Sequence, residues 1–315
     1  MERHDFEVFH EDDGKRIDIY LASKLPDLSR RKVRAILDVG GCYVNNRRMH
    51  IASRQVHKGD KVRVEFTLDG LSKTKQKKFL LSDGDILFDD KNILAINKPP
   101  GLPSQATRDQ DIMHAETCLR EWLISKGRKA SDLVLVHRLD KETSGILLFA
   151  CTKTVATTLT DAFRNRTVKK AYLAVVCGSV KEREFTVSCH LTEIDKRSGR
   201  VSIVRSGGRS SLTRFEVIES SFDDRLHIVK CFPETGRSHQ IRVHLESVGL
   251  PILGDKRYSS GVPQWLPPSV CEAASQHHML HAERLGFSLA LQEIGITASP
   301  PQTMTSILDL IINRP

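Results

Sequence analysis

Five consecutive apolar residues, Ile146-Leu147-Leu148-Phe149-Ala150, form a run of strand length. A second apolar stretch, Leu133 to Val136, leads up to it through a short polar segment. If both stretches are strands, the residues between them must form the connection, and Thr143-Ser144-Gly145 supplies its turn chemistry. That connection, His137-Arg138-Leu139-Asp140-Lys141-Glu142, crowds an imidazole, two cations and two carboxylates together. If the backbone before the turn stays extended, Arg138 and Asp140 share a side, and the guanidinium keeps the carboxylate ionised. A lone aspartate in such a place is usually a solvated turn residue. One in this company is a candidate active-site group.

The chain of 315 residues has room for two domains, and 39% hydrophobic with 28% charged residues is ordinary for a globular protein. Its formal charge of +9 and pI near 9.2 favour a polyanionic partner, nucleic acid before membrane. Seven scattered cysteines with no Cys-x-x-Cys pair argue against a disulfide framework or a zinc ribbon. The first residues are too charged for a signal peptide, and no apolar run approaches the roughly 20 residues of a membrane helix, so a cytoplasmic protein is expected.

Near the N-terminus, Ile17, Tyr20, Leu21 and Leu25 recur at helical spacing, and after Pro26 a second helix is expected with Ser29 as its cap. Val33, Ile36 and Leu37 form its apolar face, while Arg30, Arg31, Lys32 and Arg34 make the rest basic. The chain then turns at Gly40-Gly41 into a segment ending at Arg47-Arg48, and Lys61 to Phe66 alternates as a strand. Thr67 to Lys78 is polar and lysine-rich, and residues 68–82 are expected to be a basic linker.

Beyond the linker, strands are expected over 85–88 and 93–96, ending in the turn Asn97-Lys98-Pro99-Pro100-Gly101, whose prolines stop any helix. A helix is expected over 155–164, with Leu159, Ala162 and Phe163 inward. An extended segment follows on which Lys170 and Tyr172 share a side. After a strand over 226–232, Ser238 is placed to cap a helix running to Gly249, with Ile241, Leu245 and Val248 buried. On residue chemistry alone Tyr172 reads as packing, and Arg242 as a surface charge paired with Glu246.

The string His-Arg-Leu-Asp-x-x-Thr-Ser-Gly followed by an apolar strand resembles the catalytic motif of the RluA family of RNA pseudouridine synthases. A protein-kinase loop has the order His-Arg-Asp-Leu instead, and no glycine-rich phosphate loop accompanies this one. Two further stretches carry the same resemblance: Lys170-Ala171-Tyr172 after the helix, and Gly236-Arg237-Ser238-His239-Gln240-Ile241-Arg242-Val243-His244. Pro103-Ser104-Gln105 departs from it, standing where Val-His-Pro is frequent. The N-terminal module resembles the small RNA-binding domain named after ribosomal protein S-four.

The resemblance implies an α+β protein. A catalytic domain with a mixed, largely antiparallel sheet over 83–315 follows a small α/β RNA-binding domain over 14–67. It implies isomerisation of uridine to pseudouridine in RNA, most naturally large-subunit ribosomal RNA, by a single chain with no metal or organic cofactor. Asp140 is then the essential carboxylate, Tyr172 stacks on the flipped base, and Arg242 pairs with Asp140. His137, Arg138, Arg237, His239 and Gln240 are the expected RNA contacts of the cleft. Arg30, Arg31, Lys32, Arg34, Arg47 and Arg48 are those of the N-terminal module, with phosphates as their target. Two other readings compete: an RNA-binding or ribosome-assembly factor that only holds RNA, and a metal-dependent phosphate-ester hydrolase. The hydrolase would need an acidic metal cluster that the motifs lack. His277-His278-Met279-Leu280-His281 could suggest a metal site, but no carboxylate motif accompanies it.

Overall fold

The computed structural model describes residues 2–38, 40–66, 79–106, 113–221, 223–259, 261–263 and 265–313. Of the expected linker, residues 68–78 lie outside them and 79–82 lie inside. Contacts divide the chain into two compact units, Met1–Lys78 and Phe79–Pro315.

In the first unit β1 (Glu2–Glu7) precedes two helices, α1 (Ile17–Lys24) and α2 (Arg30–Asp38), followed by β2 (Cys42–Val44), β3 (Arg47–Arg48) and β4 (Lys61–Phe66). The strands form one antiparallel sheet in the order β1-β4-β2-β3. The helices begin and end close to where the apolar spacing places them. Ile17, Tyr20, Leu21, Val33, Ile36 and Leu37 are fully buried against Val62 and Val64 of the alternating strand. The Ser29 hydroxyl accepts from the Lys32 amide at 3.4 Å, as an N-cap does. Asn45 and Asn46, both at positive φ, turn β2 into β3, the conformation a two-residue hairpin needs. Strand β1 had no signature in its polar sequence. It is an edge strand with largely exposed side chains, fixed by its backbone ladder along β4.

The second unit begins with β5 (Ile86–Asp89), β6 (Ile93–Lys98), α3 (Ala115–Ser125), β7 (Val134–Leu135), β8 (Ser144–Ala150) and α4 (Lys153–Arg164). There follow β9 (Lys169–Cys177), β10 (Glu184–Leu191), β11 (Ile203–Val204), β12 (Arg209–Ser220), β13 (Leu226–Pro233) and α5 (Gln240–Ser247). It closes with α6 (Pro268–Gln276), β14 (Leu280–Leu289), β15 (Gln292–Thr297) and α7 (Gln302–Ile312). Eleven strands make one sheet in the order β11-β10-β12-β13-β9-β14-β8-β6-β5, with β15 beside β14 and β7 beside β8. Among the described strands only β14 and β8 run parallel, so the sheet is mixed and largely antiparallel.

The apolar run of β8 is continuous because the strand is covered on both faces. Leu147 and Phe149 pack with Leu119 and Leu123 of α3, while Ile146, Leu148 and Ala150 pack with Leu159 of α4. Gly145 marks its junction with β14: at φ 109°, a Cβ would meet the Ala282 carbonyl oxygen at 2.3 Å, so only glycine fits. The other half of the sheet is backed by Ile241 and Leu245 of α5, Val270 of α6 and Met304, Ile307 and Ile311 of α7.

The third motif folds differently from its expected form. The helix starts at Gln240 rather than after Ser238, because His239 takes a left-handed conformation (φ 54°). Val248, expected inside, lies past the helix end and is exposed.

Candidate active site

The loop between β7 and β8 carries Asp140, the central strand β9 carries Tyr172, and α5, entered from β13, carries Arg242. These three side chains line one cleft of about 570 Å³. Arg242 is almost fully buried and its guanidinium is used from two directions. Nη1 donates to Asp140 Oδ2 at 2.9 Å, while Nε and Nη2 donate to the two oxygens of Asp255 at 2.7 and 2.9 Å. The bidentate grip of the buried Asp255 fixes the plane of the guanidinium, and its free edge then meets Asp140. Asp255 sits in a turn closed by Gly254, where a Cβ would strike the Ala274 carbonyl at 2.3 Å.

The cation on Asp140 is therefore Arg242, not Arg138. Arg138 is exposed at the cleft wall and makes no ion pair with Asp140. It does not pair because the backbone leaves strand geometry after Leu135, so strand alternation no longer sets the side on which Arg138 and Asp140 lie. Nor does Arg242 pair with Glu246, since both of its free directions go to Asp140 and Asp255.

Burial disfavours ionisation of Asp140, yet His239 and Arg242 outweigh it and hold its carboxyl below the usual range. His239 faces Asp140 at 3.8 Å, but burial pushes this imidazole's own pKa down, so at neutral pH the permanent charge is that of Arg242. The Tyr258 hydroxyl accepts from the Val201 amide at 2.6 Å and lies 2.8 Å from His239 Nδ1. This suits a tautomer with the proton on Nε2, toward Asp140. Burial, then the charge of Asp140, raises the Tyr172 phenol, which stays un-ionised.

The remaining residues anticipated for the cleft have distinct placements. Arg237 lines it and donates from Nε to the Ser210 carbonyl at 3.1 Å. His137 Nε2 accepts from the Leu148 amide at 3.1 Å and its ring stacks on Phe163, so this imidazole braces the loop. Gln240 is buried and spends its amide on Thr235, Arg237, Leu212 and Thr213. Arg164, Arg166 and Lys170 add positive charge to the rim. Of the histidines considered for metal, His277 Nε2 lies 2.8 Å from the Thr303 hydroxyl, His278 2.8 Å from that of Thr143, and His281 2.9 Å from that of Ser144. Among the described residues no group of three or more candidate ligands is arranged around a metal position.

In the first unit, Asp18 is fully buried and gathers Arg16 at 3.1 Å, Arg30 at 3.0 Å and Arg34 at 2.8 Å, each with a partly exposed side chain. Neither Asp18 nor Arg16 was singled out by the sequence pattern, since a lone Asp at the start of a helix reads as ordinary capping chemistry. Lys32, Arg47 and Arg48 are exposed, and Arg48 also bonds the Tyr43 hydroxyl at 2.9 Å. The side chain of Arg31 lies outside the described residues.

An ionised carboxylate fixed by a buried arginine, beside an aromatic ring in a positively rimmed cleft, can act on a polyanionic substrate as a nucleophile or a base. The family model described as RNA pseudouridylate synthase matches residues 92–247, and the S4 domain model matches residues 15–62. Ribosomal large subunit pseudouridine synthase C of Rickettsia bellii is 31% identical over 91% of this chain and 95% of its own length. The chain belongs to the RluA-type RNA pseudouridine synthases. The synthase C of Salmonella typhi is 35% identical over 78% of this chain and 76% of its own length. Among solved structures, human RNA pseudouridylate synthase domain containing 4 is 30% identical, covers 73% of this chain and 93% of its own, and superposes with a TM-score of 0.61. This synthase is thus an isomerase acting on RNA, with an N-terminal RNA-binding domain. No helix among its described residues is long and apolar enough to cross a membrane.

Proposed function

We propose that this synthase isomerises uridines of large-subunit ribosomal RNA and that Asp140 is its reactive carboxylate. The observation that carries the residue assignment is the 2.9 Å contact between Arg242 and Asp140 inside the cleft that Tyr172 lines. Pseudouridine forms when uracil is detached from its ribose, turned, and rejoined through carbon five. One ionised carboxylate must therefore stand near both sugar and ring, and Asp140 is the carboxylate in the cleft that Arg242 holds in that state. A uridine stacked in RNA cannot reach it, so the base is flipped out and takes its place against the Tyr172 ring. Arg138, Arg164, Arg166, Lys170 and Arg237 at the cleft meet the phosphates on either side.

The target is supported by the relatives named as ribosomal large subunit pseudouridine synthases. The guanidinium groups of Arg16, Arg30 and Arg34, together with Arg47 and Arg48, supply phosphate contacts in the N-terminal domain without any nucleophile. Asp140, Tyr172, Arg242 and Asp255 come from one chain, so we read the enzyme as acting as a monomer, and a ribosomal RNA substrate implies that it acts in the cytoplasm. Pseudouridine mapping of ribosomal RNA from cells with and without the gene tests the target. A large-subunit site lost with the gene and restored with it is expected, and an unchanged ribosomal map would refute the ribosomal assignment.

A further inference from the structure

Ser104 lies in Pro103-Ser104-Gln105, outside the motifs that carry the family resemblance, and the structure gives this serine a use. Ser104 is buried, and its hydroxyl holds both backbone groups of Leu139: Oγ accepts from the Leu139 amide at 3.0 Å and donates to the Leu139 carbonyl at 2.8 Å. On the other side of Asp140, the Lys141 carbonyl accepts from the Gly101 amide at 2.9 Å and from Lys98 Nζ at 3.1 Å. The buried Lys98 completes its shell with the carbonyls of Leu102 at 2.8 Å and Pro99 at 3.0 Å. Residues 98–104 thus grip the peptide on each side of the aspartate. Leu139 N and O lie one residue from Asp140, and no strand pairing holds them, since β7 ends at Leu135 and β8 begins at Ser144.

We infer that Ser104 is a positioning residue for catalysis: its hydroxyl latches the Leu139 backbone so that the Asp140 carboxylate meets Arg242 at hydrogen-bond distance. This rests on the reading of Asp140 as the reactive carboxylate. An apolar side chain in this place has no group with which to bond Leu139, and two buried backbone groups would lose their partner. With the latch gone, Asp140 drifts from Arg242 and loses both orientation and the charge that lowers its pKa.

The test uses the full chain with a transcript of large-subunit ribosomal RNA as substrate, in wild-type, Ser104→Ala and Asp140→Asn forms. Ser104→Ala is expected to lower kcat at least about tenfold with KM for RNA unchanged. It should also move the acid limb of the kcat/KM profile to higher pH, because a carboxylate released from Arg242 takes up its proton sooner. Weakened packing alone would lower the melting temperature and leave that limb in place. Wild-type kcat, or a reduced kcat with an unmoved acid limb, would overturn the latch. Should the alanine variant fail to fold, Ser104→Cys fills the same space with a weaker donor and acceptor and is read on the same two quantities. An inactive Asp140→Asn beside a wild-type-like Ser104→Ala would overturn the latch alone. A fully active Asp140→Asn would bring down the assignment of Asp140, and the latch with it.

Discussion

Arg242 reaches Asp140 at 2.9 Å with the edge of its guanidinium that Asp255 leaves open. The two carboxylates have different tasks. Asp255 is fully enclosed and accepts both remaining N–H directions, whereas Asp140 keeps about a quarter of its side chain exposed toward the cleft. The anchored arginine keeps the exposed carboxylate charged without covering its face toward the cleft.

Asp255→Ala leaves a buried guanidinium with one partner in place of two. The expected cost is about 3 kcal/mol of stability, which for a domain of this size lowers the melting temperature by roughly 6 to 12 °C. Turnover should fall as well, since the plane of Arg242 is no longer fixed. Calorimetry on the purified variant checks this, and an unshifted melt would contradict the anchoring role of Asp255.

Acid should unfold the protein early. Burial pushes the His278 imidazole down to about 3, and does the same to His137, so both are neutral in the fold. Their unfolded pKa is about 6.5. Each contributes stability that is complete above that pH and is lost as the pH falls from about 6.5 toward 3, because the unfolded chain binds the extra proton. The loss is roughly 1.4 kcal/mol per pH unit for each imidazole. Denaturant unfolding between pH 7.5 and 5 should show the decline, and His278→Gln should reduce the linked uptake by about one proton. A variant with the wild-type pH slope would mean that His278 is not buried neutral.

On the proposed reading Tyr172 meets the flipped base with its ring, and its hydroxyl, kept un-ionised by burial, supplies no base. Tyr172→Phe should therefore keep activity within roughly tenfold. Tyr172→Ala should lose about 1 to 3 kcal/mol of stacking, seen as a fall of roughly five- to 150-fold in kcat/KM. Equal losses in the two variants would place the function in the hydroxyl instead.

Removing the N-terminal unit, so that the chain begins at Phe79, should weaken binding to the large-subunit transcript and flatten its salt dependence. Every phosphate that the shortened protein no longer neutralises takes roughly 0.7 to 0.9 off the slope of log K against log salt. Identical binding at every salt concentration would mean that the arginines around Asp18 do not meet RNA.

Local patterns in the sequence carry most of the fold. The apolar run of β8, the spacing of Ile17, Tyr20 and Leu21, and the alternation of β4 are patterns that burial enforces, and each appears where the spacing puts it. Relationships across the chain are harder to read. The pairing of Asp140 with Arg242 spans 102 residues and is legible through motif resemblance, while local geometry points to Arg138. Asp255 is visible in the sequence only as part of a turn, and Ser104 only as a mismatch, because the Arg242 that Asp255 grips and the Leu139 that Ser104 holds lie 13 and 35 residues away. Strand β1 has no signal because an exposed edge strand needs no apolar alternation.

The most direct measurement is the pseudouridine content of the large-subunit transcript after incubation with purified Asp140→Asn. The substitution keeps the size of the side chain and removes its charge, so it can be neither a carboxylate nucleophile nor an effective base. Turnover should fall by more than about a thousandfold, while RNA affinity and a cooperative melt are retained. Wild-type-like pseudouridine formation by this variant would contradict the account.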